Sequence, residues 1–161
     1  IARADRTHGT LLGVLFGTFQ PRIAYAAAGG ISVGYPGTVY DMMGLNDAEI
    51  AKSCKNKRGP IGHACFDRAR FFALAPDAVL PRAIDRALTV NLGVVDRELR
   101  RNGNWDNTIF RGLFSDPEFR SKYRMVRVLR RTSSSSVYGY FSIPFLLGLT
   151  AHPDFQLEYV H

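Results

Sequence analysis

The chain has 161 residues and a mass of 17.9 kDa, with 46% hydrophobic, 22% charged and 12% aromatic residues. This composition is typical of a folded protein with one core, and it excludes an intrinsically disordered chain and a disulfide-dense miniprotein. The formal net charge of +7 favours an anionic partner without specifying its chemistry. We therefore expect one domain over residues 1–161, and no apolar run has the roughly 18 residues that a membrane-spanning helix needs.

The first elements alternate between helical and extended patterns. Apolar residues recur at helical intervals over residues 7–19, and Pro21 ends that pattern, so a first helix is predicted there. Short apolar runs at residues 23–28 and 38–43 predict two strands, each of which leads into glycine.

The next segment carries a helix start signal. Asn46 and Glu49 have the spacing of a capping box, which predicts a helix over residues 45–53. A further helix is predicted over residues 64–74, and a third strand over residues 78–80. Strands that alternate with helices favour a parallel sheet.

The second half predicts a helix and a hairpin. Residues 84–99 combine strand-like and helix-like patterns, and the sequence leaves them open. Ser115, followed by an aspartate, a proline and a glutamate, predicts a helix that ends near Tyr123. Residues 125–129 and 137–141 flank a four-serine turn and predict a hairpin. The predicted fold class is α/β: a small mixed, mainly parallel sheet flanked by helices, with an antiparallel C-terminal hairpin.

Polar residues near the glycine turns form the candidate ligand-binding site. In open α/β sheets ligands bind at the carboxyl ends of the strands, where we expect Asp41, Asn46, Asp47 and the loop containing His63. A structural role is also open, because Asn46 can simply cap a helix and Asp41 can hydrogen-bond a neighbouring turn. No dinucleotide fingerprint, P-loop, HExxH or GxSxG pattern is present in the sequence, so no cofactor is expected.

The basic turn between residues 55 and 59 leads to the histidine. His63 lies near Arg58 in sequence, so its imidazole could bind an anion or exchange a proton near neutral pH. It could equally donate to a backbone carbonyl and fix the turn. Since no nucleophile or second positioned base accompanies it, no catalytic residue is assigned.

Two cysteines flank this turn, with ten residues between them. A disulfide between Cys54 and Cys65 would contribute about 3 kcal/mol by loop entropy, and an oxidising compartment would favour it. They could equally be two buried thiols. Together with His63 they provide at most three ligands, which argues against a tetrahedral zinc site.

A basic segment covers residues 97–131, where ten basic residues outnumber four acidic ones. Interleaved aromatic residues make nucleic acid a conceivable partner, but no helix-turn-helix, zinc-finger or RNA-binding signature accompanies them. Aromatic residues at these intervals more often face a core, so nucleic acid is the less favoured partner. An anionic membrane surface would account for the same charge.

Short motifs along residues 23–128 occur in a recognisable order. A strand ends in glycine, a D-x-x-G-L-N-D turn opens a helix, and a GH turn, a P-D strand and an acidic-x-x-F-x-x-x-Y segment follow. The residues concerned are Gly29, Asp41, Gly44, Leu45, Asn46, Asp47, Gly62, His63, Pro76, Asp77, Asp116, Phe119 and Tyr123.

This order resembles the extracytoplasmic C-terminal domain of bacterial polyprenyl-phosphate-sugar-dependent membrane glycosyltransferases of the terminal arabinofuranosyltransferase type. The resemblance implies a domain of a longer membrane protein, on the periplasmic face of the inner membrane. It implies a glycan or polyprenyl-phosphate sugar as ligand and the membrane half of the parent chain as partner. The catalytic carboxylate would belong to that membrane half, so the chain alone would not be catalytic. A self-contained soluble enzyme using Asp41, Asp47 and His63 is the alternative.

Overall fold

The computed structural model describes residues 2–44, 48–53, 66–82 and 90–160. The helices within these ranges are α1 (Ala2–Phe16), α2 (Gly29–Gly34), α3 (Ala48–Ser53), α4 (Arg68–Leu74), α5 (Leu92–Arg100), α6 (Trp105–Ile109), α7 (Pro117–Lys122) and α8 (Ile143–Thr150). The strands are β1 (Ile23–Tyr25), β2 (Val39–Asp41), β3 (Ala78–Val79), β4 (Tyr123–Arg130), β5 (Ser135–Ser142) and β6 (Phe155–Tyr159).

In the described part of the chain these strands form one six-stranded sheet with the order β2-β1-β3-β5-β4-β6. Strand β1 pairs in parallel with β2 and β3, whereas the β3–β5, β4–β5 and β4–β6 pairs are antiparallel. The predicted mixed α/β fold and its antiparallel C-terminal hairpin are confirmed. The sheet is mostly antiparallel rather than mainly parallel, because the C-terminal strands are longer and β6, which was not predicted, adds a third antiparallel pair.

Helices cover both faces of the sheet, so the core has two layers. Neighbouring strand residues alternate between the layers: Ala24 and Val79 face one cluster, and Ile23 and Ala78 face the other. The first cluster is rich in fully buried aromatic residues, namely Phe71, Phe110, Phe114, Phe119 and Tyr140.

Side-chain caps define the starts of α5, which the sequence left open, and α7, which the sequence placed one residue too early. Asn91 caps α5 by accepting from the backbone N–H of Val94 at 3.1 Å, so the ambiguous segment is helical from residue 92. Asp116, rather than Ser115, caps α7, because its carboxylate accepts from the N–H of Glu118 at 2.8 Å.

Helix α2 was not predicted, because a run of glycine and small residues has no helical hydrophobic pattern. It packs against α1 with the two backbones almost touching. A Cβ at Gly9 would lie 2.4 Å from the carbonyl oxygen of Ile31, and one at Gly34 would lie 2.2 Å from that of Arg6. The absence of both side chains is therefore a condition of this helix pairing.

None of the helices in the described ranges is both long and apolar enough to cross a bilayer.

Candidate functional site at the carboxyl edge

Asp41 is the last residue of β2, at the edge where the parallel strands end. It pairs in register with Tyr25, the last residue of β1, and only 2% of its surface is exposed. Its Oδ1 accepts a hydrogen bond from the backbone N–H of Met43 at 3.1 Å. The structure thus shows the turn-forming role that the sequence left open, and ligand binding by Asp41 stays a prediction.

Gly44 completes the turn that Asp41 begins. Its N–H donates to the Asp41 carbonyl at 3.0 Å, and its φ of +73° lies in the left-handed region that favours glycine. A Cβ here would also approach the backbone N of Ala51 in α3 to 3.0 Å. The glycine of the D-x-x-G motif therefore fixes both the turn and the position of the following helix.

Arg82 is the centre of a second group at the same edge, three residues after β3. Its backbone N–H donates to Oδ1 of Asp106 at 3.2 Å, and its carbonyl accepts from the Tyr25 hydroxyl at 3.3 Å. Its guanidinium lies over the Trp105 ring, 4.9 Å from the centroid. Side chains from β1 and α6 thus hold Arg82 from three directions.

Asp106 is buried, with 8% of its surface exposed. Burial raises the pKa of this carboxyl from 3.8 to about 6, although the hydrogen bond from Arg82 and the nearby guanidinium act in the opposite direction. A carboxyl with such a pKa exchanges a proton near neutral pH and can either donate or accept a hydrogen bond.

Asp41 is the only residue of the predicted site that falls in the described ranges. The remaining ligand-binding and disulfide residues lie outside them, namely Asn46, Asp47, Cys54, Arg58, His63 and Cys65. Across the described residues, no group of three or more His, Cys, Asp or Glu side chains is placed to hold a metal ion.

Sequence reasoning missed Tyr25, Arg82, Trp105 and Asp106 as members of this edge. One signal was present: Asn104 precedes Trp105 and caps α6 by accepting from the N–H of Asn107 at 3.1 Å. That pattern predicts a helix start, but only the tertiary fold places the helix beside the end of β3.

Much of the basic segment over residues 97–131 serves the fold. Arg100 and Arg120 both pair with the buried carboxylate of Asp96, at 2.9 and 2.6 Å, and the Tyr140 hydroxyl donates to the same carboxylate at 2.7 Å. Four aromatic residues that interleave with the charges are core residues rather than an exposed stacking surface: Phe110, Phe114, Phe119 and Tyr123.

Comparison with known proteins gave no match: no family model, no curated protein and no solved structure is significantly similar to this chain.

Proposed function

We propose that this chain is an extracytoplasmic accessory domain of a bacterial membrane glycosyltransferase. In this proposal it holds a glycan acceptor or a polyprenyl-phosphate sugar donor at the carboxyl edge of its parallel strands. The membrane half of the parent chain carries the catalysis, and the inner-membrane surface facing the periplasm is the location. The net charge of +7 is compatible with a position next to anionic lipids.

Two residues of the sequence motif and the group around Arg82 lie at the same edge of the sheet, and this observation supports the proposal. Asp41 and Gly44, two residues of the D-x-x-G-L-N-D motif, form a tight turn directly after β2. The neighbouring strand end brings Tyr25 beside Arg82, which covers the ring of Trp105. A site that combines an aromatic ring, a guanidinium and buried carboxyls suits a polyhydroxylated ligand, and ligand sites of open α/β sheets lie at this edge.

Trp105 is the only tryptophan of the chain, so its fluorescence reports on this edge directly. The purified chain is titrated with linear oligosaccharides and, separately, with a short-chain polyprenyl phosphate. We expect a saturable change in emission that Arg82→Gln weakens at least tenfold. Arg101→Gln is the matched control, because Arg101 pairs with Glu98 at the surface, 3.2 Å away. No emission change with any of these ligands would refute the proposal.

A self-contained soluble enzyme is the second candidate, and the buried Asp106 beside Arg82 favours it, because a carboxyl whose pKa is raised by burial can act as acid or base. The accessory-domain proposal expects no turnover when the chain is incubated with activated sugars and model esters. Turnover that Asp106→Asn, Asp41→Asn or His63→Ala abolishes would replace the accessory domain by the enzyme.

A further inference from the structure

A groove lies at the opposite edge of the sheet, where the parallel strands begin. Arg22 precedes β1 and Asp77 precedes β3, while Tyr123 opens β4 and Ser142 ends β5. The volume of this amino-edge groove is about 400 Å³, within the range of ligand sites, whereas three other cavities of the described chain have volumes of about 220, 280 and 290 Å³.

The amino-edge groove has an apolar lining. Phe72 is half-buried in α4, Pro76 precedes β3, and Pro144 is exposed in the first turn of α8. These rings give the groove apolar surface, and the cations of Arg68 and Lys122 lie near the Phe72 ring, 4.8 and 5.0 Å from its centroid. A pyranose or furanose ring packs its own C–H groups against surfaces of this kind.

The polar rim of the groove is balanced in charge. Arg22 pairs with Asp77 at 3.0 Å, and Lys122 pairs with Glu118 at 2.7 Å. Arg68, whose guanidinium lies 4.8 Å from the Phe72 ring centroid, is itself paired with Asp116 and Glu118. Since each cation has a carboxylate partner, the groove has no surplus charge to attract a strong anion, and an uncharged ligand fits it better.

Hydrogen bonds within the protein also hold the rim of the groove in place. Arg22 contacts both oxygens of Asp77, and its Nη2 donates to the carbonyl of Ala75 at 2.8 Å. Ala75 has a φ of +44°, an uncommon conformation for a residue with a side chain, and Arg22 holds it there. The Tyr123 hydroxyl fixes the next residue by donating to the Pro76 carbonyl at 2.8 Å. A preformed site loses little entropy on binding.

We propose that the amino-edge groove binds a segment of a neutral oligosaccharide, as a second contact surface separate from the carboxyl edge. This inference rests on the proposed function, because a domain that holds a glycan chain gains affinity and orientation from two separated contacts. The apolar lining packs against the sugar rings, and Arg22, Asp77, Lys122 and Ser142 supply hydrogen-bond donors and acceptors for hydroxyl groups.

Amide chemical shifts of the ¹⁵N-labelled chain distinguish the two edges. Linear tetrasaccharides of arabinose, mannose and glucose are titrated separately to low millimolar concentration, and inorganic phosphate serves as the anionic probe. We expect at least one tetrasaccharide to shift Ala75, Asp77 and Tyr123, and we expect Phe72→Ala to weaken that binding at least tenfold. Lys122→Met, an exposed substitution in the same groove, provides a second variant if Phe72→Ala disturbs the fold. It removes a hydrogen-bond donor of the groove and should also weaken the binding.

Leu147→Ala is the matched control, because Leu147 is exposed on the groove-lining helix α8 but is not part of the groove. It should leave the affinity unchanged. Shifts confined to Tyr25, Arg82 and Trp105 would refute the groove inference and leave the proposed function intact. No shifts with any tetrasaccharide would also refute the groove inference. Shifts at the groove with phosphate alone would refute it in favour of an anion site.

Discussion

Substitution of Asp96 tests how much a buried group of polar side chains stabilises this fold. Asp96 is 4% exposed and lies in α5, where it joins Arg120 of α7 and Tyr140 of β5. Asp96→Ala would leave the buried Tyr140 hydroxyl without its acceptor, which costs about 1–3 kcal/mol. It would also remove the ion pairs to Arg100 and Arg120, whose side chains are each 41% exposed, so each pair contributes at most about 1 kcal/mol.

The expected loss in the free energy of unfolding is therefore about 1–5 kcal/mol, measured by urea denaturation at neutral pH. Tyr140→Phe should cost about 1 kcal/mol, because it removes the donor as well as the need for an acceptor. Glu98→Ala on the same helix is the matched control and should change stability by less than about 0.5 kcal/mol. Equal losses for Asp96→Ala and Glu98→Ala would refute the reasoning.

The pH dependence of the same network has a definite sign. Burial raises the pKa of Asp96, but hydrogen bonds from Tyr140 and Arg120 outweigh it, so the pKa lies below its usual value of 3.8. The stabilisation is therefore present at neutral pH and is lost as the pH falls through the lowered pKa. Wild type should exceed Asp96→Asn in stability at neutral pH, and the difference should shrink in strong acid. A difference that grows on acidification would contradict this assignment.

Three further outcomes are expected from denaturation experiments. Gly44→Ala should lower the free energy of unfolding by about 1–3 kcal/mol, because it places a side chain at a left-handed φ and close to α3. An unchanged free energy of unfolding would show that the turn relaxes to accept the side chain. The free energy of unfolding of Asp106→Asn should rise by about 2–3 kcal/mol relative to that of the wild type as the pH increases from 4 to 7, because only the wild type must ionise a buried carboxyl. Parallel pH profiles of stability for the two proteins would contradict the raised pKa of about 6. Ala75→Gly should raise the free energy of unfolding by up to about 1 kcal/mol, because glycine relieves the left-handed backbone strain at some cost in chain entropy. A decrease of more than about 1 kcal/mol would argue against backbone strain at this position.

Strands β1 to β5 were predictable, because short apolar runs and the turn residues beside them are local features of the sequence. The apolar runs at residues 23–28 and 38–43 contain β1 and β2, although both strands end before the glycines that follow the runs, and the serine turn marked the hairpin. Helix α8 was missed although Ser142 caps it, with Pro144 in its first turn, because its sequence is apolar on every side and has no helical periodicity. Strand β6 was missed because its pairing with β4 is a tertiary contact.

The candidate site was predictable only where the chain itself marks it. Asp41 is in a predicted strand that leads into a glycine turn, so its place near the carboxyl edge followed from sequence order. Asp106 has no such marker, and an aspartate within a helical pattern is normally a solvated residue. Asp106 is nevertheless buried, and it accepts a hydrogen bond from Arg82, 24 residues away in the chain.

The arrangement of the sheet has a consequence for the order of folding. Strands β4, β5 and β6 and helix α8 belong to one continuous stretch, residues 123–159, whereas Arg22 and Asp77 are 55 residues apart. Since closing longer loops costs more entropy, the antiparallel stretch should form first and the short parallel strands should join it late. Pulsed hydrogen exchange should therefore protect the amides of β4 and β5 before those of β1. Both ligand edges include residues at the ends of the parallel strands, so a nascent chain would complete its binding surfaces only after the antiparallel stretch has formed.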